Sequence, residues 1–312
     1  MSVDPKTIFE AVTKPVLELL SDRGLGLYIP SYQRPYSWDS GKVSRLVEDI
    51  SHGLNNLIEA DDSFTFLGTV ITIHDINHVT VQPIVRQDVP NKVLTVIDGQ
   101  QRMTTLLILC IALHNEISVI YKNFVKIKDK AINKYESEQE NESSIEEDTH
   151  SIQDVISLFD WLDGQIKELL SVLSGTFYEK QSHGETPFYP RMIRSLDDTW
   201  SRSIKNRKYA SAIAHLTFSY VEEIEKENYR PNDFKPEKRF NENVEGEDAL
   251  IQRFAQIKKF LRRLPGSTDI EMEEVPSIDK IYGSNVFQEG LLGYKLSEIA
   301  SYESIKNIQI ID

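Results

Sequence analysis

The sequence predicts an α+β protein, a mixed α/β N-terminal part followed by a mainly α-helical part. Three observations carry this. Residues 64–73 (FTFLGTVITI) and 93–97 are short runs rich in β-branched and aromatic residues, as strands are. The run Leu106 to Leu113 is apolar all round, as in a helix at the centre of a core. Beyond residue 150, apolar residues such as Ile152, Val155, Ile156, Phe159 and Leu162 recur at helical spacing.

The elements follow in order. Asp4 and Pro5 supply a cap and a first-turn residue for an opening helix, with Ile8, Val12 and Leu19 on one stripe and Pro15 as a bend. Ser40 opens a second helix carrying Val43, Leu46, Val47, Ile50, Leu54 and Leu57. After the strand at 64–73, residues 74–92 read as irregular. Val93 to Ile97 is a buried strand that stops abruptly at Asp98-Gly99-Gln100-Gln101-Arg102, and a helix runs from about Thr104 to Tyr121. In the second half Ile166, Leu169, Leu170 and Val172 extend the first helical stripe. Residues 208–227 and 248–264 are two further amphipathic helices, the last stopping at Leu264-Pro265-Gly266. Residues 228–248 and 265–280 read as loops.

Residues 135–149 carry seven acids and no base. Burial cannot offset the ordering entropy of such a stretch. The expected organisation is therefore a domain at 1–125, an acidic linker or loop at 126–150, and a mainly helical domain at 151–312.

Charge and cysteine content narrow the function. The 312 residues include 35 basic and 49 acidic side chains, a net charge of -14, half of it within 135–149. One cysteine excludes an internal disulfide framework and a thiolate zinc site, and Cys110 lies in the apolar helix, where an inert core role is expected. The N-terminus has no apolar signal-peptide region. The apolar run Leu106 to Leu113 is well short of the roughly 18 residues that span a bilayer, so a cytoplasmic protein without membrane contact is expected.

The acidic total argues against an indiscriminate DNA coat. Two basic clusters remain, at 191–208 and 251–263. Arg191, Arg194, Arg253, Lys258, Lys259 and Arg262 are the candidate DNA-binding residues, although charge runs on helices are commonly solvated faces. His74 and His78 stand at helical spacing but lack the glutamate of a zinc motif.

Chemistry concentrates in two motifs. In VIDGQQRMTT, residues 96–105, Gly99 permits a tight turn and close backbone approach. The helix that follows offers unpaired N–H groups to an anion. Arg102 can grip phosphate oxygens as a fork, and Thr104 and Thr105 add hydroxyl donors. Asp98 can hold magnesium or orient a water, and Gln100 and Gln101 can meet amide or base edges. The Walker A spacing is absent. The plainer reading is a polar turn capped by Asp98, with Arg102 in a surface ion pair. In IPSYQRPYSWD, residues 29–39, Tyr32, Tyr36 and Trp38 interleave with Gln33 and Arg34, a pattern suited to stacking on bases and contact with phosphate. Its plainer reading is a loop whose aromatics anchor the core.

YQRPYSW, FLGTVI and VIDGQQRMTTLL, in this order and spacing, closely resemble the DGQQR-motif N-terminal domain of GmrSD-type and SspE-type modification-dependent restriction proteins of bacterial anti-phage defence. The resemblance is strong over 28–115 and weaker over FYPRMIRSLDDTW, 188–200. That domain is similar to the ParB/sulfiredoxin group, whose nucleotide-binding G-x-x-R turn is matched by Gly99 to Arg102. The resemblance implies nucleoside triphosphate binding and hydrolysis, GTP favoured, with magnesium as a companion ion. It implies Asp98 and Arg102 as catalytic residues. Gly99, Gln100, Gln101, Thr104, Thr105, Gln33 and Arg34 would contact nucleotide, and Tyr32, Gln33 and Arg34 would sense modified DNA. It further implies an HNH-type nuclease as a partner domain or subunit, for which no histidine pattern occurs before Asp312. Homo-oligomerisation is a further expectation. The alternative is a non-catalytic, ParB-like nucleotide-gated switch that binds DNA or a partner. Sulfiredoxin-type thiol chemistry is disfavoured, because glutamine stands where that turn has its cysteine.

Overall fold

Strand β3 (Lys92–Asp98) runs through Gly99 directly into helix α3 (Gln100–Gln139), and the rest of the molecule is arranged around this pair. The computed structural model describes residues 11–59, 64–75, 81, 89–139, 148–239 and 244–262. β3 lies in a four-stranded sheet with β1 (Leu25–Ile29), β2 (Ile71–Asp75) and β6 (Met192–Arg194), in the order β2-β3-β1-β6. β1 is parallel to both β3 and β6, while β2 is antiparallel to β3. All five residues of β1 are buried, which fits a parallel strand covered on both faces.

On one face, Leu25, Leu27, Ile29 and Met192 meet the apolar run of α3. On the other, Tyr28, Val93 and Ile193 pack against Trp200, Tyr189 and Ala214. Trp200 is fully buried, and its indole N–H donates to the Pro190 carbonyl at 2.7 Å. The α+β class is thus as expected. Cys110 is buried in α3, where burial pushes its thiol up to about 11, the inert role foreseen.

Several boundaries differ from expectation. Residues 11–15 are not helical, and α1 (Val16–Ser21) starts only after Pro15, which stands as its cap; the proposed start at Asp4 lies outside the described residues. α2 (Ser40–Glu59) opens where predicted. The strand expected at 64–73 is confined to β2, because Gly68 takes a φ of +107° and breaks the extended run. α3 is longer at both ends than the helix expected at 104–121. By length and composition Gln100–Lys130 could cross a bilayer, which the short run Leu106 to Leu113 does not convey. However, 72% of its apolar window is buried within the protein, the setting of a core helix.

The expected domain division also changes. Residues 126–139 belong to α3 and 148–150 to α4 (Asp148–Phe177), so only 140–147 of the expected linker fall outside the described residues. β6, from the second half, completes the sheet of the first half, and α5 (Ala212–Ile224) and α6 (Glu247–Leu261) join its core. The described residues of 11–125 and 151–262 therefore share one hydrophobic core. A second cluster joins the outer part of α3 to α4 through Phe124, Phe159, Leu162 and Ile166. The mainly helical half also holds β4 (Tyr178–Lys180), β5 (Phe188–Pro190), β7 (Asp198–Thr199) and β8 (Lys208–Tyr209), too short to show a period in sequence. The proposed stop at 264–266 and His78 lie outside the described residues.

Candidate functional site

The turn after β3 is built on Gly99. Its φ is +85°, and a Cβ there would stand 3.0 Å from Val70 Cγ2 and 3.2 Å from the Thr69 carbonyl. The backbone conformation favours glycine, and a side chain there would also press its neighbours aside by a few tenths of an ångström. α3 begins at the next residue, and its first ladder bond runs from Met103 N–H to the Gly99 carbonyl at 3.0 Å. In an α-helix the N–H groups ahead of that bond have no ladder partner, so they face an incoming anion.

Arg102 sits at this mouth, half-buried, and donates through Nη1 to the Thr69 carbonyl at 3.0 Å. Gly68 makes that position available: a Cβ there would lie 2.6 Å from the guanidinium carbon. Asp98 is exposed at the end of β3. Among the described residues no group of three His, Cys, Asp or Glu side chains forms a metal site.

Gln100 and Gln101 are buried, and their amides are committed to the 29–39 loop. Gln100 Nε2 donates to the Arg34 carbonyl at 2.9 Å, and Gln101 Nε2 to the Pro35 carbonyl at 3.0 Å. Gln101 Oε1 accepts from Ser37 N–H at 2.8 Å. Gln33 donates its own amide to the Ile97 carbonyl at 2.6 Å. The Gln33 carbonyl in turn accepts from Arg194 Nη2 at 2.6 Å. Three successive carbonyls, of residues 33, 34 and 35, are thus each held by a long polar side chain. The loop becomes an arch fixed against the turn.

Thr104 and Thr105 are buried, and each hydroxyl donates to the carbonyl four residues earlier, at 2.8 Å. They are not donors at the mouth, a correction to the expectation. The Thr105 hydroxyl also shares a 2.9 Å bond with Tyr36, whose phenol burial pushes up to about 12. Tyr36 anchors the arch in the core, as the plainer reading of that motif has it. Tyr32, 70% exposed, and the Arg34 side chain are left facing solvent.

The basic clusters are largely spoken for. Arg191 is 3% exposed and cannot reach DNA. It pairs with Glu179 at 3.1 Å and donates to the carbonyls of Ser21, Asp22, Leu25 and Gly175. Arg194 braces the arch and pairs with Asp197 at 3.3 Å. Lys258 and Arg262 pair with Glu116 of α3, at 3.1 and 2.8 Å. Burial holds the Lys258 ammonium below the usual lysine range. Arg253 is half-buried, and Lys259 is exposed. Those pairings tie two of the four bases of 251–262 to α3; Arg263 lies outside the described residues. A cavity of about 1010 Å3 opens between α5, the 3-10 turn Pro231–Asp233 and α6, bordered by His215, Glu222, Lys226 and Arg230 rather than by either motif.

The residues that sequence reasoning missed are those that support the site. They are Gly68, the Thr69 carbonyl and the bracing role of Arg194. A glycine just before a β-branched strand and an arginine in a short aromatic-rich run were the available signals.

A glycine turn between a sheet strand and the core helix, with an arginine at its mouth and a pinned aromatic loop beside it, makes the candidate site a strand–turn–helix unit. A family model described as the GmrSD restriction endonuclease, N-terminal domain, matches residues 16–309. The chain belongs to that family, and so to a component of restriction systems that act on DNA with a nuclease. A search of curated proteins found no match.

Proposed function

We propose that this chain is a nucleoside triphosphatase and DNA-modification sensor that regulates an HNH-type nuclease of its restriction system. One observation carries the reading. The Nε2 groups of Gln100 and Gln101 and the Oε1 of Gln101 are committed to the arch, so among the described residues the turn offers Gly99, the α3 N-terminal N–H groups and Arg102, with the Asp98 carboxylate beside them. The N–H groups and the guanidinium are a donor set for phosphate rather than for a base edge, and the Asp98 carboxylate, which only accepts, suits a metal ion beside it.

In this reading Arg102 lays its remaining N–H groups along the terminal phosphate and stabilises the charge that develops as the bond to it breaks. The helix N-terminus holds the same oxygens by backbone donation. A magnesium ion would neutralise phosphate charge, and a single strand-end carboxylate such as Asp98 is the type of ligand that magnesium takes together with phosphates and water. GTP is the favoured nucleotide. Tyr32 and Arg34, presented outward by the arch, meet DNA.

The committed glutamines favour a second use of the same geometry. A ligand at the turn would shift the arch through Gln100 and Gln101 without turnover, as in a nucleotide-gated switch. Phosphate release from GTP and from ATP by the full chain with magnesium separates the two. Steady release is expected; binding without release assigns the switch, and neither binding nor release contradicts both.

A further inference from the structure

The turn Ser195-Leu196-Asp197 contains the only non-glycine residue of positive φ among the described residues, Leu196 at +67°. Leucine is a poor choice there twice over. Its Cβ crowds the backbone in this conformation, and its side chain is 59% exposed. Glycine or asparagine would relieve both penalties. Folding therefore gives no reason for leucine at this position, and retained strain of this kind is characteristic of contact sites.

The turn is also held rigidly. Ser195 N–H donates to the Ile29 carbonyl at 2.8 Å, extending the β1–β6 ladder. At its far end the buried Asp198 carboxylate accepts from Arg194 N–H at 2.7 Å and from Ser211 N–H at 2.8 Å. Burial pushes that carboxyl up to about 6. Arg194 joins the turn to the arch through the Gln33 carbonyl. Leu196 and Tyr32, both exposed and large, are thus presented from neighbouring segments that also carry Arg34 and Arg194. Asp197 faces them already paired with Arg194.

We infer that Leu196 is an apolar wedge that enters a base step of DNA while the exposed Arg34 contacts phosphate and Arg194 only braces the arch that presents it. Leucine is among the side chains used for such insertion, and the exposed Arg34 beside the exposed Tyr32 fits phosphate and stacked bases rather than an apolar protein surface. This rests on the DNA reading above and adds to it a residue and a deformation of the duplex.

The test uses the full chain at low salt with short duplexes that are unmodified, phosphorothioate-linked or hydroxymethylcytosine-bearing, each carrying 2-aminopurine as a probe of unstacking. Wild type is expected to bind at least one duplex and raise its fluorescence. Leu196→Gly and Leu196→Asn should melt at the same or a higher temperature, bind about tenfold more weakly and lose the fluorescence rise, whereas Leu196→Met keeps it. Wild-type binding and fluorescence retained by the glycine and asparagine variants would overturn the inference alone. A lower melting temperature in Leu196→Gly would overturn it too, by showing that the leucine packs. If wild type binds none of the duplexes, the DNA reading itself fails and this inference with it.

Discussion

Arg102→Ala is expected to lower GTP turnover by about a hundredfold or more while moving the thermal midpoint little. The two halves of this result have separate causes. The guanidinium is half-buried and makes one hydrogen bond, to the carbonyl of the exposed Thr69, which water can replace. Stability therefore changes little. In the proposed function its remaining donors serve phosphate at the start of α3, where an ionised fork stabilises phosphate charge in a way that alanine cannot. The loss should fall mainly on kcat, and Arg102→Lys should recover a part of it by restoring charge without the fork. Steady-state phosphate release, run beside a thermal melt, reads both. Unchanged turnover in a folded variant removes Arg102 from the chemistry.

Arg191→Ala carries the largest expected change in stability, a loss of about 3–5 kcal/mol. The guanidinium is buried against Glu179 and donates to four carbonyls near the start of β1 and the end of α4. Glu179 also accepts from Gly24 N–H at 2.8 Å and from the Tyr189 hydroxyl at 2.9 Å. Removing the arginine leaves a carboxylate without its counter-charge and several carbonyls without a donor, and burial makes both costly. Arg191→Lys restores the charge but not the fork, so an intermediate loss is expected. At roughly 2–4 °C per kcal/mol for a chain of this size, the alanine variant should melt on the order of 10 °C lower. A urea titration by circular dichroism checks this. A midpoint equal to wild type would return Arg191 to the surface and to the DNA-binding candidates.

These two arginines also mark what a sequence conveys about position and where it stops. The place of Arg102 after a strand–turn junction was legible because its context is local: a β-branched strand, a glycine and an apolar helix follow one another, and their periods differ. Arg191 was not. It stands in a cluster of bases, and only the fold reveals that Glu179 and four carbonyls surround it. The same holds for Lys258 and Arg262, whose partner Glu116 lies more than a hundred residues away in sequence on α3. A charge run shows that a helix is polar, and it cannot show which acids the other elements bring to it.

The sequence reading has the glutamines of the turn contact nucleotide, and the direction of their amides could not be read there. Burial aims them at the 29–39 arch, so they join the two motifs instead of facing a ligand. β6 was missed because three residues carry no period, although it binds the second half of the chain to the sheet of the first. Gly68 reads in sequence as a weak point in a strand. In the fold it makes room for the Arg102 guanidinium.

The central claim, that the Gly99 turn and the arch form one phosphate-binding unit, is tested most directly by calorimetric titration of a non-hydrolysable GTP analogue with magnesium. Wild type, Arg102→Ala and Gln101→Ala are measured side by side, each first shown to be folded. The expected result is saturable binding by wild type and at least about tenfold weaker binding by both variants. The first lacks the phosphate fork, and the second no longer holds the arch to the turn. Equal affinity in all three proteins, or no saturable binding by wild type, would contradict it.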